Sequence, residues 1–444
     1  MGLTSVEEIV KREGFYIDEK GLLLFDGCDL MNIADKYGTP CYVYSESIIR
    51  QHCEEYIQSF QRNNIDYEII YAGKAFLVKA LCKILNEEGF GIDVSSGGEA
   101  YTVLSAGFPA ERIFFHGNNK SEGEIKFAIE NNIGTIMIDN LYELNLVNRL
   151  AKEFNKQINI MIRVIPGVDT HTHEKIRTGQ VDSKFGIPIL ELVKIIPVVL
   201  EKDNLVLKGL HCHIGSQLLD VQYHLLAVDE MIQLIQRIQE QCQIKTEYLN
   251  IGGGLGVKYT DADSPVSISD FVNNIIERVK NGCQKYHLPI PKIMVEPGRS
   301  IVAEAGITLY RIGAIKKIKG LKKYLIVDGG MADNPRPSLY DARYDAFIFN
   351  KFSQNPIEEV TVAGKYCESG DILIKNIQLP KAESGDLIVF FSTGAYHYAM
   401  SSNYNGIPRP PVVLVNQGKH ELIVKGETYQ DIVHNQVLPP WLEP

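Results

Sequence analysis

The sequence predicts a (β/α)8 barrel joined to an antiparallel β domain, and three observations predict it. Eight short runs rich in apolar and β-branched residues lie between positions 67 and 297. Stretches with helical periodicity separate them. Beyond about residue 305 the texture changes to alternating strands broken by Gly, Pro and Asn. Near-continuous apolar strands linked by helices imply a parallel sheet covered on both faces, and eight such units suggest a closed barrel. An open doubly wound sheet is the alternative, but no GxGxxG follows the first run.

The runs, in order, are YEIIYA (67–72), FGIDV (90–94), RIFFHG (112–117), GTIMID (134–139), INIMIRV (158–164), LKGLHCHI (207–214), EYLNIGG (247–253) and KIMVEP (292–297). Segments such as SEGEIKFAIENN and LYELNLVNRLAKEFNK carry the helical period between them. After the last run come GITLYRIGAIKKI, KKYLIVDGG, EEVTVAGKYC, GDILIKNIQL, GDLIVFFSTG, PPVVLVNQG and HELIVKGET, each an alternating strand ended by turn residues. Near the N-terminus FYIDEKGLLLFDG reads as a hairpin that could join this β domain. The expected division is therefore 46–305 for the barrel, with 1–45 and 306–444 in the β domain.

Composition narrows the function. The 444 residues are 45% hydrophobic and 23% charged with a net charge of −10, which suits a soluble protein and argues against nucleic acid or an anionic membrane as partner. No apolar run reaches the roughly 18 residues that cross a bilayer. MGLTSVEEIVKREG lacks the apolar core of a signal peptide. The eight cysteines show neither pairing nor CxxC spacing, which fits free thiols in a reducing cytoplasm. Cys367 stands apart because KYCESGD sets it among acids on a Gly-bounded turn.

Barrel chemistry gathers where strands end. Reading only those positions gives Lys74, Asp93, Asn118, Arg163, His211, His213, Gly252–Gly254 and Glu296–Arg299. A lysine at a barrel mouth, partly desolvated, can condense with an aldehyde, although a loop-start lysine can equally be plain surface. IGGGLG offers bare backbone N–H groups to a phosphate, and EPGRS adds a second turn with a guanidinium; two such turns after strands seven and eight match a barrel phosphate site. His-x-His occurs at 171–173 and 211–213, but no third ligand accompanies it, so no metal is expected. One imidazole of the second pair could stack on a flat cofactor with Ser216 nearby, or it could be a satisfied core histidine. Glu296 could face a pyridine nitrogen and keep it protonated. A lysine, a phosphate cradle, a stacking ring and an acid together are what pyridoxal 5'-phosphate requires.

The motifs YAGKA, GIDVSSGGE, HGNNKS, GLHCHIGSQ, NIGGGLG, VEPGRS, DGGMADNPRPSLY, CESGD and GAYHYAMSSNYN carry a resemblance. From about residue 40 to 430 the chain resembles the diaminopimelate decarboxylases, in the alanine-racemase-like class of pyridoxal-phosphate enzymes. The resemblance implies removal of CO2 from meso-diaminopimelate to give L-lysine. It implies that Lys74 bonds the cofactor aldehyde and that His213 stacks on the ring. Asp93, Ser216, Gly252, Gly253, Gly254, Glu296, Pro297, Gly298 and Arg299 would complete the cofactor site, with Glu296 on the ring nitrogen. Arg299, Arg336 and Tyr340 would hold substrate carboxylate, Glu368 the distal ammonium, and Tyr396 both cofactor and substrate. Cys367 would supply the proton that replaces CO2, and with Glu368 would act across a homodimer interface. A free thiol titrates near about 8.5, close enough to neutrality to give and recover a proton.

The sequence departs from the family pattern at Lys175 and Arg177 in THEKIRTG, at His397 in GAYHY and at Pro335 beside Arg336; the first departure could retune substrate choice, and none removes a catalytic group. Other readings of the same scaffold are a decarboxylase of ornithine, lysine or a D-isomer, a racemase, or a non-catalytic pyridoxal-phosphate carrier. The length of the C-terminal portion argues against the last.

Overall fold

The structure is a computed structural model that describes residues 5–167 and 183–442. The His-x-His at 171–173 and the departures Lys175 and Arg177 lie outside the described residues. The chain divides into two compact units, one of residues 50–257 and 263–301, the other of 1–49, 258–262 and 302–444.

The first unit is the barrel. Its strands are β1 (Tyr67–Ala72), β2 (Gly91–Val94), β3 (Ile113–Phe115), β4 (Thr135–Ile138), β5 (Ile158–Ile165), β6 (Leu205–Cys212), β7 (Tyr248–Asn250) and β8 (Lys292–Val295). All eight expected runs are present. Successive strands pair in parallel, and β8 pairs with β1, so the ring closes. A two-residue strand, Ile187–Pro188, adds to the end of β5. Inside, Ile70, Phe114, Met137, Met161 and Met294 from five strands form one buried cluster. Three methionines there fill an irregular space with flexible, polarisable side chains.

Polar caps fix where strand gives way to helix. Ser96, Ser121, Asn140 and Ser267 each accept a backbone N–H of the following helix. The rim is further fastened by Lys120, whose Nζ donates to Gly117 O at 2.9 Å, Met137 O at 2.7 Å and Glu143 Oε1 at 2.7 Å. Lys120 and Glu143 are both buried, so each ion is retained only because the other is there.

The second unit is built on the 13-residue strand Gly306–Ile318, which pairs antiparallel with Cys41–Ser45, Lys322–Val327 and Leu387–Phe390. Two pairings are parallel, Lys322–Val327 with Glu358–Ala363 and Val412–Asn416 with Cys41–Ser45, so the sheet is mixed rather than wholly antiparallel. Ile372–Leu379 and Lys419–Val424 form its edges. The N-terminal hairpin is present as Phe15–Ile17 against Leu23–Phe25, a separate two-stranded sheet. It is held by ring contacts of Phe15 with Phe347 and Phe391, at 5.8 and 5.3 Å between centroids.

Two strands of this sheet, Cys41–Ser45 and Ala346–Ile348, have no counterpart in the sequence reading. Every residue of both is buried, which removes the alternation that marks a half-buried strand.

Gly209 shows how closely barrel strands approach. A Cβ there would lie 2.0 Å from Tyr248 O of the neighbouring strand, beside a register shift between Leu207 and Gly209. Gly209→Ala should therefore lower unfolding stability by about 1–3 kcal/mol, the usual cost of overpacking. A urea titration with an unchanged midpoint would contradict this.

Candidate active site

The barrel unit places its polar strand ends at one rim. Lys74 occupies the 3-10 turn Gly73–Ala75 directly after β1, with buried neighbours on both sides and its own side chain exposed. In the single chain burial at this turn is confined to the flanking Gly73 and Ala75. Pro297 O accepts the N–H of Ala72 at 3.0 Å, which ties the end of β1 to the turn after β8. That bond sets the Lys74 turn beside Glu296, Pro297, Gly298 and Arg299.

Glu296 is the centre of a buried cluster. Its Oε2 accepts His211 Nε2 at 3.0 Å and its Oε1 accepts Asn250 Nδ2 at 2.7 Å. His116 Nε2 lies 3.0 Å from Oε1 but off the hydrogen-bond axis, so the contact is an ion pair rather than an aligned bond. Burial pushes the Glu296 carboxyl up, yet the two histidines outweigh it and hold the group well below the usual range. Burial pushes His211 down to about 4, so near neutrality that ring is uncharged and acts on Glu296 as a hydrogen-bond donor. His116 goes the other way. Burial opposes its charge, but Asp93 and Glu296 raise it above the ordinary value, which makes it the cation of the pair.

Asp93, on β2, is 3% exposed, and its Oδ1 has no hydrogen-bond partner among the described residues. Burial raises its carboxyl against the pull of His116. The ligand atoms of His116, His211 and Glu296 all lie within 4.8 Å of one another. His211 therefore meets two potential ligands that the sequence did not pair with it; here it bonds Glu296, and His116 holds Glu296 as an ion contact.

The glycine turn follows β7. Gly252 has φ +72°, and a Cβ on Gly253 would sit 2.1 Å from Glu296 O, so neither position accepts a side chain without moving backbone. Three bonds shape the turn: Gly252 N–H to Asn250 Oδ1 at 2.8 Å, Gly253 N–H to His213 Nδ1 at 3.3 Å, and a 3.2 Å contact of His224 Nε2 with Gly253 O. Because His213 Nδ1 accepts, its ring is neutral; burial, then Lys74 and Arg163, lower it well below the ordinary value. Burial likewise pushes His224 down to about 4. Arg299, itself buried, donates from Nη2 to Ser216 Oγ at 2.8 Å. Arg163 lies over the Phe185 ring at 4.4 Å.

These residues fit pyridoxal phosphate. A Cβ-free turn lets a phosphate approach the backbone closely; the N–H groups of Gly252 and Gly253 are bonded to Asn250 and His213, which leaves Gly254 N–H with the Ser216 hydroxyl and the Arg299 guanidinium to meet it. A carboxylate offers about four acceptor directions, and three donors approach Glu296, so one direction remains for a ring N–H. The neutral His213 ring provides a flat face. Asn250, His116 and His224 were missed by the sequence reading. His116 directly follows β3, where the strand-end rule could have found it.

The second unit carries the remaining expected residues. Arg336 is buried, donates to the Tyr344 hydroxyl and lies over the Tyr259 ring at 4.8 Å. Pro335 precedes the short helix Arg336–Tyr340, where a missing N–H costs nothing. Tyr340 is 63% exposed. Tyr396 is half-buried with φ +64°, a strained value for a tyrosine. His397 is fully buried, its Nδ1 2.9 Å from Ala395 O.

Cys367 and Glu368 lie on an exposed turn, and Cys367 is the one exposed thiol of the eight. Cys367 N–H donates to Asn405 Oδ1 at 2.9 Å, and Glu368 Oε1 accepts Gly370 N–H at 3.2 Å. The turn is anchored by Asp371, whose carboxylate accepts the N–H of Met331 at 2.7 Å and of Tyr366 at 2.9 Å.

A family model for the pyridoxal binding domain of pyridoxal-dependent decarboxylases matches residues 46–303. Fold, site and this match define the class: the chain is a pyridoxal-dependent decarboxylase of the barrel type. It is 45% identical over 418 residues to diaminopimelate decarboxylase of Bacillus subtilis (strain 168), covering 94% of this chain and 95% of that one. Against diaminopimelate decarboxylase of Staphylococcus aureus (strain COL) it is 43% identical, covering 94% and 98%. A solved diaminopimelate decarboxylase from M. jannaschii in complex with L-lysine aligns with a TM-score of 0.90 at 34% identity, over 97% of this chain and 99% of that one. The chain belongs to the diaminopimelate decarboxylase family.

Asp333 gives a pH test of the second unit. It is 1% exposed, Oδ1 accepts Gly330 N–H at 2.7 Å, and burial raises the carboxyl to about 8. The unfolded value is about 3.9. A raised folded value means that the stabilising contribution is complete below about 4 and is lost as pH rises through about 8. Asp333→Asn does not titrate. Its stability relative to the parent should therefore climb between these limits and stay level outside them, measured by urea unfolding from pH 4 to 9.

Proposed function

We propose that this protein binds pyridoxal 5'-phosphate at the barrel rim and decarboxylates meso-2,6-diaminopimelate to L-lysine and CO2. The observation that carries the reading is Glu296, a buried carboxylate kept ionised by His211 and His116 and set against the glycine turn. When bound there, pyridoxal phosphate supplies an electron sink for the pair released as the C–C bond breaks.

The protein's own residues bind, orient and move protons. Gly252–Gly254, Ser216, Pro297, Gly298 and Arg299 are the proposed phosphate site, and Glu296 the acceptor for the ring N–H. His213 offers its neutral ring as a stacking face, and Asp93, the weaker acid of the two buried carboxyls, completes the proposed cofactor site. The Lys74 amine, exposed at the end of β1, is free to meet an aldehyde.

On the substrate side, Arg336 is clamped between Tyr344 and Tyr259, which presents its guanidinium in a fixed plane suited to a carboxylate. With Arg299, Tyr340 and Tyr396 it forms the proposed substrate set, and Glu368 is the proposed acceptor for the distal ammonium. Cys367 Sγ is proposed to give its proton to the carbon that loses CO2. We propose a homodimer in which Cys367 and Glu368 act at the partner subunit's barrel; their exposure on an anchored turn supports this. A cytoplasmic setting without membrane or nucleic-acid partners is supported by the eight unpaired cysteines and the net charge of −10. Among the described residues no helix is long and apolar enough to cross a membrane.

The test pairs a product assay with absorbance. The protein should release CO2 and lysine from meso-diaminopimelate, and a visible absorbance band should vanish in Lys74→Ala. Clean turnover of another amino acid, with none of diaminopimelate, would refute the substrate. Cys367→Ala should lower kcat by about 10²- to 10⁴-fold, the range for a lost general acid, with little change in the absorbance band. Arg336→Ala should raise KM for diaminopimelate; were the substrate lysine or ornithine, the same change would have little effect.

A further inference from the structure

We propose that Asn250 is a positioning residue that sets the ring-nitrogen partner and the phosphate turn of the cofactor site as one unit. The inference rests on the assignment of Glu296 and Gly252–Gly254 to the cofactor. Asn250 is the last residue of β7 and has no exposed surface. Its Nδ2 donates to Glu296 Oε1 at 2.7 Å, and its Oδ1 accepts the N–H of Gly252 at 2.8 Å. The partners dictate the amide's orientation, because the reverse would aim an oxygen at a carboxylate and an NH2 at an N–H.

Side-chain chemistry at this point is narrowly constrained. An aspartate would still accept from Gly252 but would bring a second carboxylate against Glu296. An alanine or serine is too short to span both partners. The link is also doubled: Glu296 N–H donates to Gly252 O at 2.8 Å. Main chain and side chain together therefore join the same two residues, and a displacement of the glycine turn is passed to the Glu296 carboxylate. On the far side of the turn Gly253 is bonded to His213. One amide thus aligns the acceptor for the ring N–H, the path of the glycine turn that would meet the phosphate and, through that turn, the stacking ring.

The test uses the full-length protein with Asn250→Ala, Asn250→Ser and Asn250→Asp, plus Glu296→Gln alone and combined with Asn250→Asp. Three quantities are read: the Kd for pyridoxal phosphate, the pH at which its visible band changes, and kcat against KM. Loss of a hydrogen bond to a charged group should weaken cofactor binding at least about tenfold in Asn250→Ala. The band's pH transition should shift and kcat should fall without a matching rise in KM. Asn250→Asp should bind worse than Asn250→Ala, and much of that excess should disappear in the Glu296→Gln background, where the like charges no longer meet.

Folded variants with parental Kd and band titration would overturn the proposal. So would a lowered Tm with both readouts unchanged, or failure of all three single Asn250 variants to fold, since either assigns Asn250 to stability alone. If Glu296→Gln itself kept the parental Kd and titration, the assignment of Glu296 to the cofactor would fail, and the outcome would be told apart from failure of the Asn250 link.

Discussion

The site depends on one buried ion contact, between His116 and Glu296. At 3.0 Å and an effective dielectric near 20, their attraction is worth about 5–6 kcal/mol, while desolvating each ion costs several. The balance is close to even, so the charge on Glu296 persists only because His211 and Asn250 add hydrogen bonds that a neutral acid would not need. A carboxyl in this place without them would follow Asp93, whose value burial raises. Two carboxyls a short distance apart are thus driven in opposite directions by their neighbours, which is how one barrel rim holds both a fixed negative charge and a group of weaker acidity.

The same logic explains why four histidines gather around this rim with different tasks. Burial favours the neutral form in all of them. His211, His213 and His224 yield to it and serve as donors or acceptors to Glu296 and the glycine turn. His116 alone sits where two carboxyls offset the cost of its charge. Position on the barrel therefore decides protonation, and no feature of the imidazoles themselves distinguishes them.

Most of the fold was legible because each barrel strand is a short apolar run bounded by turn residues. Cys41–Ser45 was not, since five consecutive buried residues before the barrel give no period and no sequence neighbour to pair with. At the site, Lys74, His213, Gly252–Gly254 and Glu296–Arg299 were readable from a simple rule, polar residues where apolar strands end. Asn250 escaped it, although it too ends a strand, because an amide among apolar residues carries no charge to draw attention. His224 and Lys120 lie off the strands altogether, and their importance comes from carbonyls that only the folded chain brings near. Lys74 lies at the strand end that the rule names, but its exposure is set by side chains from several elements at once, which no local stretch of sequence reports.

Asp371 has a consequence for how such chains can diverge. It holds the backbone of the segment leading to Arg336 and the backbone leading to Cys367 with the same carboxylate. An insertion or deletion in either segment would pull that carboxylate off the other. The two stretches are thus yoked in length, and a graft between relatives should carry both or neither.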